Sequence, residues 1–391
     1  MRSLAAAALA LAGLGAVFSC VDERPAPPRD LPPAGMAGER NDGPQLGDAA
    51  VEPTGPCGDQ RIPAIEDPPN LSFVIDRSAS MGDPLAGSDF SKYENARLAL
   101  ARVLRAVGHR VSYGATIFPG LDGATGCQPG QRLMRMGPGD APSYARENKT
   151  GPRLRSLLDG LSIADVDGGT PVAATLEAML PVLTELEGQT YVVLLTDGAP
   201  NCNEELRCGA SRCIPNIERL AVQGIPCTDE HNCCQPTATN PLAQRSCVDD
   251  DASVAAVAAL ADAGIGTFVL GMPGSEPYVN LLNALAEVGG TARDAPLKYY
   301  PVEDVDELEA SLRAITASVS ISCEIALDYE PPDADYVNVY FDDELVELDP
   351  VDGWEWVDSA HVGIRGAACE RLLAGDVLEV QILAGCKTEV K

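Results

Sequence analysis

From residue 70 onward, short apolar runs alternate with stretches of helical spacing. Leu71-Ser72-Phe73-Val74-Ile75-Asp76 reads as a short buried strand. Residues 90–107 follow, with Phe90, Ala96, Leu100, Val103, Leu104 and Val107 at helical intervals. Residues 111–118 predict a second strand, and 119–150 a Gly- and Pro-rich loop with a short edge strand near Arg132-Leu133-Met134. Helices are expected at 153–161 and 172–186, and the central strand at 190–196. An Ala-rich helix at 252–263, a strand at 265–270, a helix at 278–288, a last strand at 297–302 and a helix at 304–318 complete the series. Such alternation predicts an α/β fold: a doubly wound, mostly parallel sheet flanked by helices.

Two regions leave this pattern. Residues 199–248 hold seven cysteines and little apolar periodicity, so they are expected to be stapled rather than packed. Residues 321–391 alternate at Ile321–Leu327, Tyr336–Phe341 and Val377–Leu383, with Asp342-Asp343 as a hairpin turn. They predict a small antiparallel β module, with Trp354 and Trp356 as its core rather than a carbohydrate platform. At the other end, residues 1–19 read as an export signal: Arg2 is the charge and 4–18 the apolar stretch, short for a membrane span. Residues 20–56 are rich in Pro, Gly, Ala and acids and predict a disordered tether. Residues 57–320 then form the α/β domain and 321–391 the β module.

Composition narrows the function. The hydrophobic share of 45% supports a true core, and the 5% aromatic share makes that core mostly Ala, Val, Leu and Ile. A formal net charge of −30 excludes nucleic acid as a natural partner, because phosphate binding needs basic patches. Only three histidines occur, His109, His231 and His361. No nucleophile elbow, Gly-rich phosphate loop or H-E-x-x-H accompanies them, so the chain is not expected to be an enzyme.

Three segments carry the candidate chemistry. Asp76-Arg77-Ser78-Ala79-Ser80 closes the first strand and brings a carboxylate and two hydroxyls in five residues. Open α/β sheets place ligands at this end of their strands. Such a set suits a hard cation, Mg2+ with Mn2+ or Ca2+ as alternatives. Gly168-Gly169-Thr170-Pro171 precedes a helical pattern, and Tyr191–Gly198 is a second buried-strand run that ends in Asp197. All three loops would lie on one edge of the sheet.

This combination resembles the von Willebrand factor type A domain over roughly residues 70–318. That family's metal-ion-dependent adhesion site uses D-x-S-x-S, a Thr on a second loop and an Asp on a third. Asp76, Ser78, Ser80, Thr170 and Asp197 match these positions. The resemblance implies that the serines and the threonine approach the metal directly or through water, while the acids hold its waters. It also implies a protein partner whose acidic side chain completes the shell. In the alternative, the metal only stabilises the loops of a structural envelope lipoprotein. Val17-Phe18-Ser19-Cys20 resembles a bacterial lipobox, which makes Cys20 the lipidated first residue of a Gram-negative envelope protein. Val21 after it favours the outer membrane. The whole arrangement looks like secreted type A lipoproteins of predatory, high-GC soil bacteria.

Setting Cys20 aside leaves 12 of the 13 cysteines, an even number that reads as up to six disulfides in an exported chain. Seven lie in the insert (Cys202, Cys208, Cys213, Cys227, Cys233, Cys234, Cys247) and five outside it (Cys57, Cys127, Cys323, Cys369, Cys386). Both numbers are odd, so full pairing needs a bond between the insert and the rest. Cys127–Cys202 is the expected link, since each follows a strand at the metal edge. Cys57–Cys323 would close the domain ends, as in some type A domains, and leave Cys369–Cys386 for the β module. Vicinal Cys233 and Cys234 should have separate partners. A zinc site from His231 with Cys227, Cys233 and Cys234 matches no paired C-x2-C spacing and is the lesser expectation.

Replacing Cys20 by Ser should move the protein from the membrane fraction to the soluble one. Retention of the variant in detergent-extractable membranes would defeat the lipid-anchor reading.

Overall fold

The computed structural model describes residues 60–61, 68–121, 126–320, 322–373, 377 and 379–389. The signal, Cys20, the tether and Cys57 lie outside the described residues. Six strands form the central sheet: β1 (Asn70–Asp76), β2 (Ser112–Phe118), β3 (Gln131–Met134), β4 (Thr190–Thr196), β5 (Gly266–Gly271) and β6 (Tyr300–Pro301), in the order β3-β2-β1-β4-β5-β6. Only β3 runs antiparallel, at one edge.

Every residue of β1 is buried, because helices cover both faces of the sheet. A strand buried on both sides has no polar face to alternate with, hence the unbroken apolar runs in the sequence. On one face lie α1 (Lys92–Val107), α2 (Pro152–Ser162) and α6 (Val305–Ser320), sharing a core with Leu71, Phe73 and Ile75. On the other lie α3 (Val172–Leu183), α4 (Asp250–Asp262) and α5 (Val279–Val288), packed on Val74, Val192 and Leu194. This is the expected doubly wound α/β architecture. None of the helices described is long and apolar enough to cross a membrane.

The insert is indeed stapled. Cys208–Cys247, Cys213–Cys234 and Cys227–Cys233 bond within it, and the sulfurs stand where an apolar core would. Vicinal Cys233 and Cys234 take separate partners, and no thiolate among these cysteines remains for zinc. Cys127–Cys202 ties the insert to the loop after β2, with Cα atoms 5.4 Å apart.

The C-terminal module holds two antiparallel sheets. One orders Gln60–Arg61, β12 (Val380–Ala384), β8 (Val337–Phe341) and β9 (Glu344–Val346). The other orders β7 (Glu324–Ala326), β11 (His361–Ile364) and β10 (Trp354–Asp358). Gln60 and Arg61, which the sequence groups with the α/β domain, thus pair with the last strand of this module. Asp342 and Asp343 both have positive φ, 50° and 73°, as a two-residue hairpin turn demands. Trp354 is fully buried at the centre, and the Trp356 ring meets it edge-on at 5.5 Å.

A helix not read from the sequence, α7 (Gly366–Leu373), lies over this core, and with it the expected pairing changes. Cys323 bonds to Cys369, not to Cys57, and Cys369 is therefore unavailable to Cys386. The reason is strand pairing. The Cys323 carbonyl accepts from Ile364 N–H at 2.6 Å, at the end of β11, and α7 starts two residues later. Cys323 belongs to the module, not to the closing end of the α/β domain. Cys386 is also disulfide-bonded.

Trp354→Ala should cost about 3–5 kcal/mol in the stability of the C-terminal module, the usual loss on emptying a buried aromatic site. Urea unfolding followed by circular dichroism measures it; a loss under about 1 kcal/mol would show that Trp354 is not the centre of this core.

Candidate metal centre

Beyond β1 the chain first builds the β2 side of the sheet; beyond β4 it builds the β5 side. The C-terminal ends of neighbouring β1 and β4 are therefore where the winding reverses, the crevice in which open α/β sheets hold ligands. Ile75 pairs with Leu195 across the two strands. Asp76 and Thr196 consequently end them side by side, with Asp197 one step beyond.

Four of the five sequence-predicted residues meet there in one hydrogen-bonded cluster. Asp76 Oδ1 accepts from the Ser78 backbone N–H at 2.7 Å, and its Oδ2 from the Thr196 hydroxyl at 2.6 Å. Ser80 donates its hydroxyl to Asp197 Oδ1 at 2.8 Å and stands 3.3 Å from the Ser78 hydroxyl. Lys92, the first residue of α1, donates to Asp197 Oδ2 at 2.7 Å. Both acids are buried, to 0% and 1% exposure, while Ser80 faces solvent.

Thr170, the fifth residue, joins through its backbone. Its N–H donates to Asn201 Oδ1 and its carbonyl accepts from Asn201 N–H, both at 2.9 Å. The Gly168 carbonyl accepts from Ala79 N–H at 3.1 Å, and the Asp167 N–H donates to the Arg77 carbonyl at 2.9 Å. The three loops after β1, before α3 and after β4 are thereby laced together. The glycine pair is steric: Gly168 has φ +90°, and a Cβ on Gly169 would fall 2.7 Å from Cys202 Sγ.

The electrostatics are unfavourable to two anions. Burial, and then the charge of Asp197, push the Asp76 carboxyl up to about 7, against the hydrogen bonds from Thr196 and Ser78. Burial likewise raises Asp197, and the Lys92 ion pair and the Ser80 hydrogen bond pull it back. An all-oxygen donor set, an excess of buried negative charge and an open rim at Ser80 fit a hard divalent cation.

The insert flanks this centre. Ile214 and Ile217 pack with Ala199, Val248 and Tyr278, while Cys202 N–H donates to the Arg245 carbonyl at 2.7 Å. Glu218 accepts from the Tyr278 hydroxyl at 2.9 Å, and burial first, with Asp197 adding to it, raises its carboxyl. Sequence reasoning missed Lys92, Thr196, Asn201 and Glu218. Lys92 left a readable signal: a cation in the first turn of a helix opposes the macrodipole and needs a reason.

No protein-family model and no curated protein matches the chain. Solved structures do resemble it. The pilus adhesin SpaC of Lactobacillus rhamnosus GG shares 16% identity over 83% of this chain, with a TM-score of 0.46. This chain spans 40% of SpaC, and 62% of the PilB minor pilin of Streptococcus sanguinis, at 16% identity and a TM-score of 0.42 over 67% of its own length. The vWF domain of the type V pili tip protein Mfa5 of Porphyromonas gingivalis matches 67% of this chain and 96% of its own length, at 11% identity and a TM-score of 0.41.

Metal-free stability should report the raised Asp76 carboxyl. Between the unfolded value of 3.8 and about 7 the folded state binds more protons than the unfolded chain, so stability from this group falls as pH rises through that window. In chelator, wild type should lose a few kcal/mol relative to Asp76→Asn between pH 4 and 8, by urea titration. A difference independent of pH would refute the buried-acid account.

Proposed function

We propose that this chain is a divalent-cation-dependent protein-binding module with a type A domain, carried on a lipid-anchored protein of the cell envelope. What carries the reading is the cluster of Asp76, Ser78, Ser80 and Asp197 at the reversal of the winding, buried on the acid side and open at Ser80. Ser78, Ser80 and Thr170 would hold Mg2+ or Mn2+, directly or through water, with Asp76 and Asp197 supplying charge and orienting its waters. The ion would offer a Lewis-acidic contact to a carboxylate of the partner protein. With no histidine among these residues, proton-transfer catalysis has no base beyond acids already engaged, so the role is binding. Adhesins and a manganese-loaded protein, Plasmodium vivax TRAP, occur among the similar structures, at likenesses too low to carry the reading.

A purely structural role for the metal is the weaker alternative. The three loops are already tied to one another by the backbone bonds through Asn201 and Gly168, and Cys127–Cys202 fastens the chain just beyond the last of them to the loop after β2.

Calorimetry on the mature chain should show one Mg2+ or Mn2+ bound per molecule and none in Asp76→Ala; equal uptake by both would sink the assignment. Envelope extracts passed over immobilised protein should yield a partner in Mg2+ and lose it in chelator. Thr170→Ala should lower that capture at least tenfold while shifting the melting temperature by only a few degrees.

A further inference from the structure

Lys92 has no place in the five-residue donor set, yet it is built into the centre. Ser91 caps α1 by accepting from Glu94 N–H at 3.2 Å, so Lys92 sits at the positive end of the helix. Its side chain is 6% exposed, and its ammonium lies 2.7 Å from the fully buried Asp197 Oδ2. Burying an ammonium costs several kcal/mol unless a charge answers it. The surrounding wall is shaped for this pair: Gly274, at φ +110°, faces it, and a Cβ there would stand 3.5 Å from Lys92 Nζ and 2.7 Å from the Asp197 carbonyl oxygen.

The consequence is one of charge. With both acids ionised, the two buried carboxylates and the ammonium paired with Asp197 carry minus one together. A divalent ion turns that to plus one; without Lys92 the loaded centre would be neutral. Arg77, also buried, spends its guanidinium on the carbonyls of Pro119, Gly120 and Asp165 and makes no ion pair with either acid. Asp83 and Glu218 add negative charge further out, where solvent screens it.

We propose that Lys92 is a resident counter-cation that sets the charge of the loaded centre. It neutralises Asp197 when no divalent ion is bound. When one is bound, it weakens the hold on that ion and leaves a net positive site, so that the group completing the shell must be an anion. The inference rests on the cation-dependent reading above and adds a chain-specific determinant to it. It also answers a difficulty of the chain as a whole: at −30 the protein repels acids at long range, and a locally cationic centre restores attraction within about a Debye length, roughly 8 Å.

The test titrates Mg2+ by calorimetry into the mature chain as wild type, Lys92→Met and Lys92→Gln. Gln is neutral and, though one bond shorter, still offers an N–H donor towards Asp197, so it serves if the Met variant does not fold. The expected result is about tenfold or greater tightening of Mg2+ in both neutral variants, as removal of one repulsive charge a few ångström away implies. In the Mn2+-loaded protein, the same variants should bind acetate more weakly than wild type, read from water-proton relaxation. Mg2+ affinity unchanged or weakened in a folded neutral variant would overturn the role of Lys92 while leaving the cation site standing. Absence of uptake by wild type and variants alike would overturn both.

Discussion

Two carboxylates held close together out of water are the constraint around which this protein is arranged. Asp76 and Asp197 end adjacent parallel strands, and nothing about a sheet favours that. The strands bring them there because the winding reverses between β1 and β4, and burial then makes each ionised acid costly to the other. The neighbouring chemistry answers this cost. Thr196, Ser78 N–H, Ser80 and Lys92 each direct a donor at one of the four carboxylate oxygens. Yet one ammonium cannot balance two anions, and burial pushes both carboxyls up in answer.

Rigidity around the centre comes from covalent and backbone ties rather than from an extended core. The insert is too polar to bury much, so its sulfurs form the interior and three bonds close it. A fourth, Cys127–Cys202, spans 75 residues and fastens the insert beside the cluster. Closing so long a loop removes several kcal/mol of freedom from the unfolded chain on the loop-entropy account. With Ser80 exposed, the insert forms a wall beside the centre and leaves its mouth open. On that side Glu218 of the insert accepts a hydrogen bond from the hydroxyl of the buried Tyr278 and ties the insert to the α/β domain.

The C-terminal module is built by a different principle. Its strands are short, its two sheets enclose one core around Trp354, and Cys323–Cys369 joins the residue before β7 to α7. The edge of its larger sheet takes Gln60 and Arg61, which precede the α/β domain in sequence. Both ends of that domain thus run into the same module.

Much of the α/β domain was determined by local pattern. Leu71–Ile75, residues 111–118 and 190–196 could only be buried strands, and their spacing from helical runs implied the doubly wound sheet; Gly168-Gly169 and the order of Asp76, Ser78, Ser80, Thr170 and Asp197 marked the centre. The link between Cys127 and Cys202 followed from the same layout. Pairing across distance decided the rest. Cys323 went to Cys369 because β7 pairs with β11, a register that depends on partners dozens of residues away. Helix α7 was hidden in a segment whose neighbours all alternate as strands. Lys92 stands against the macrodipole at the start of α1, which the sequence shows, but its partner does not: only the fold sets its ammonium against a carboxylate 105 residues later in the chain. Periodicity is local and survives in one dimension; charge compensation depends on which buried groups meet, and only the folded chain decides that.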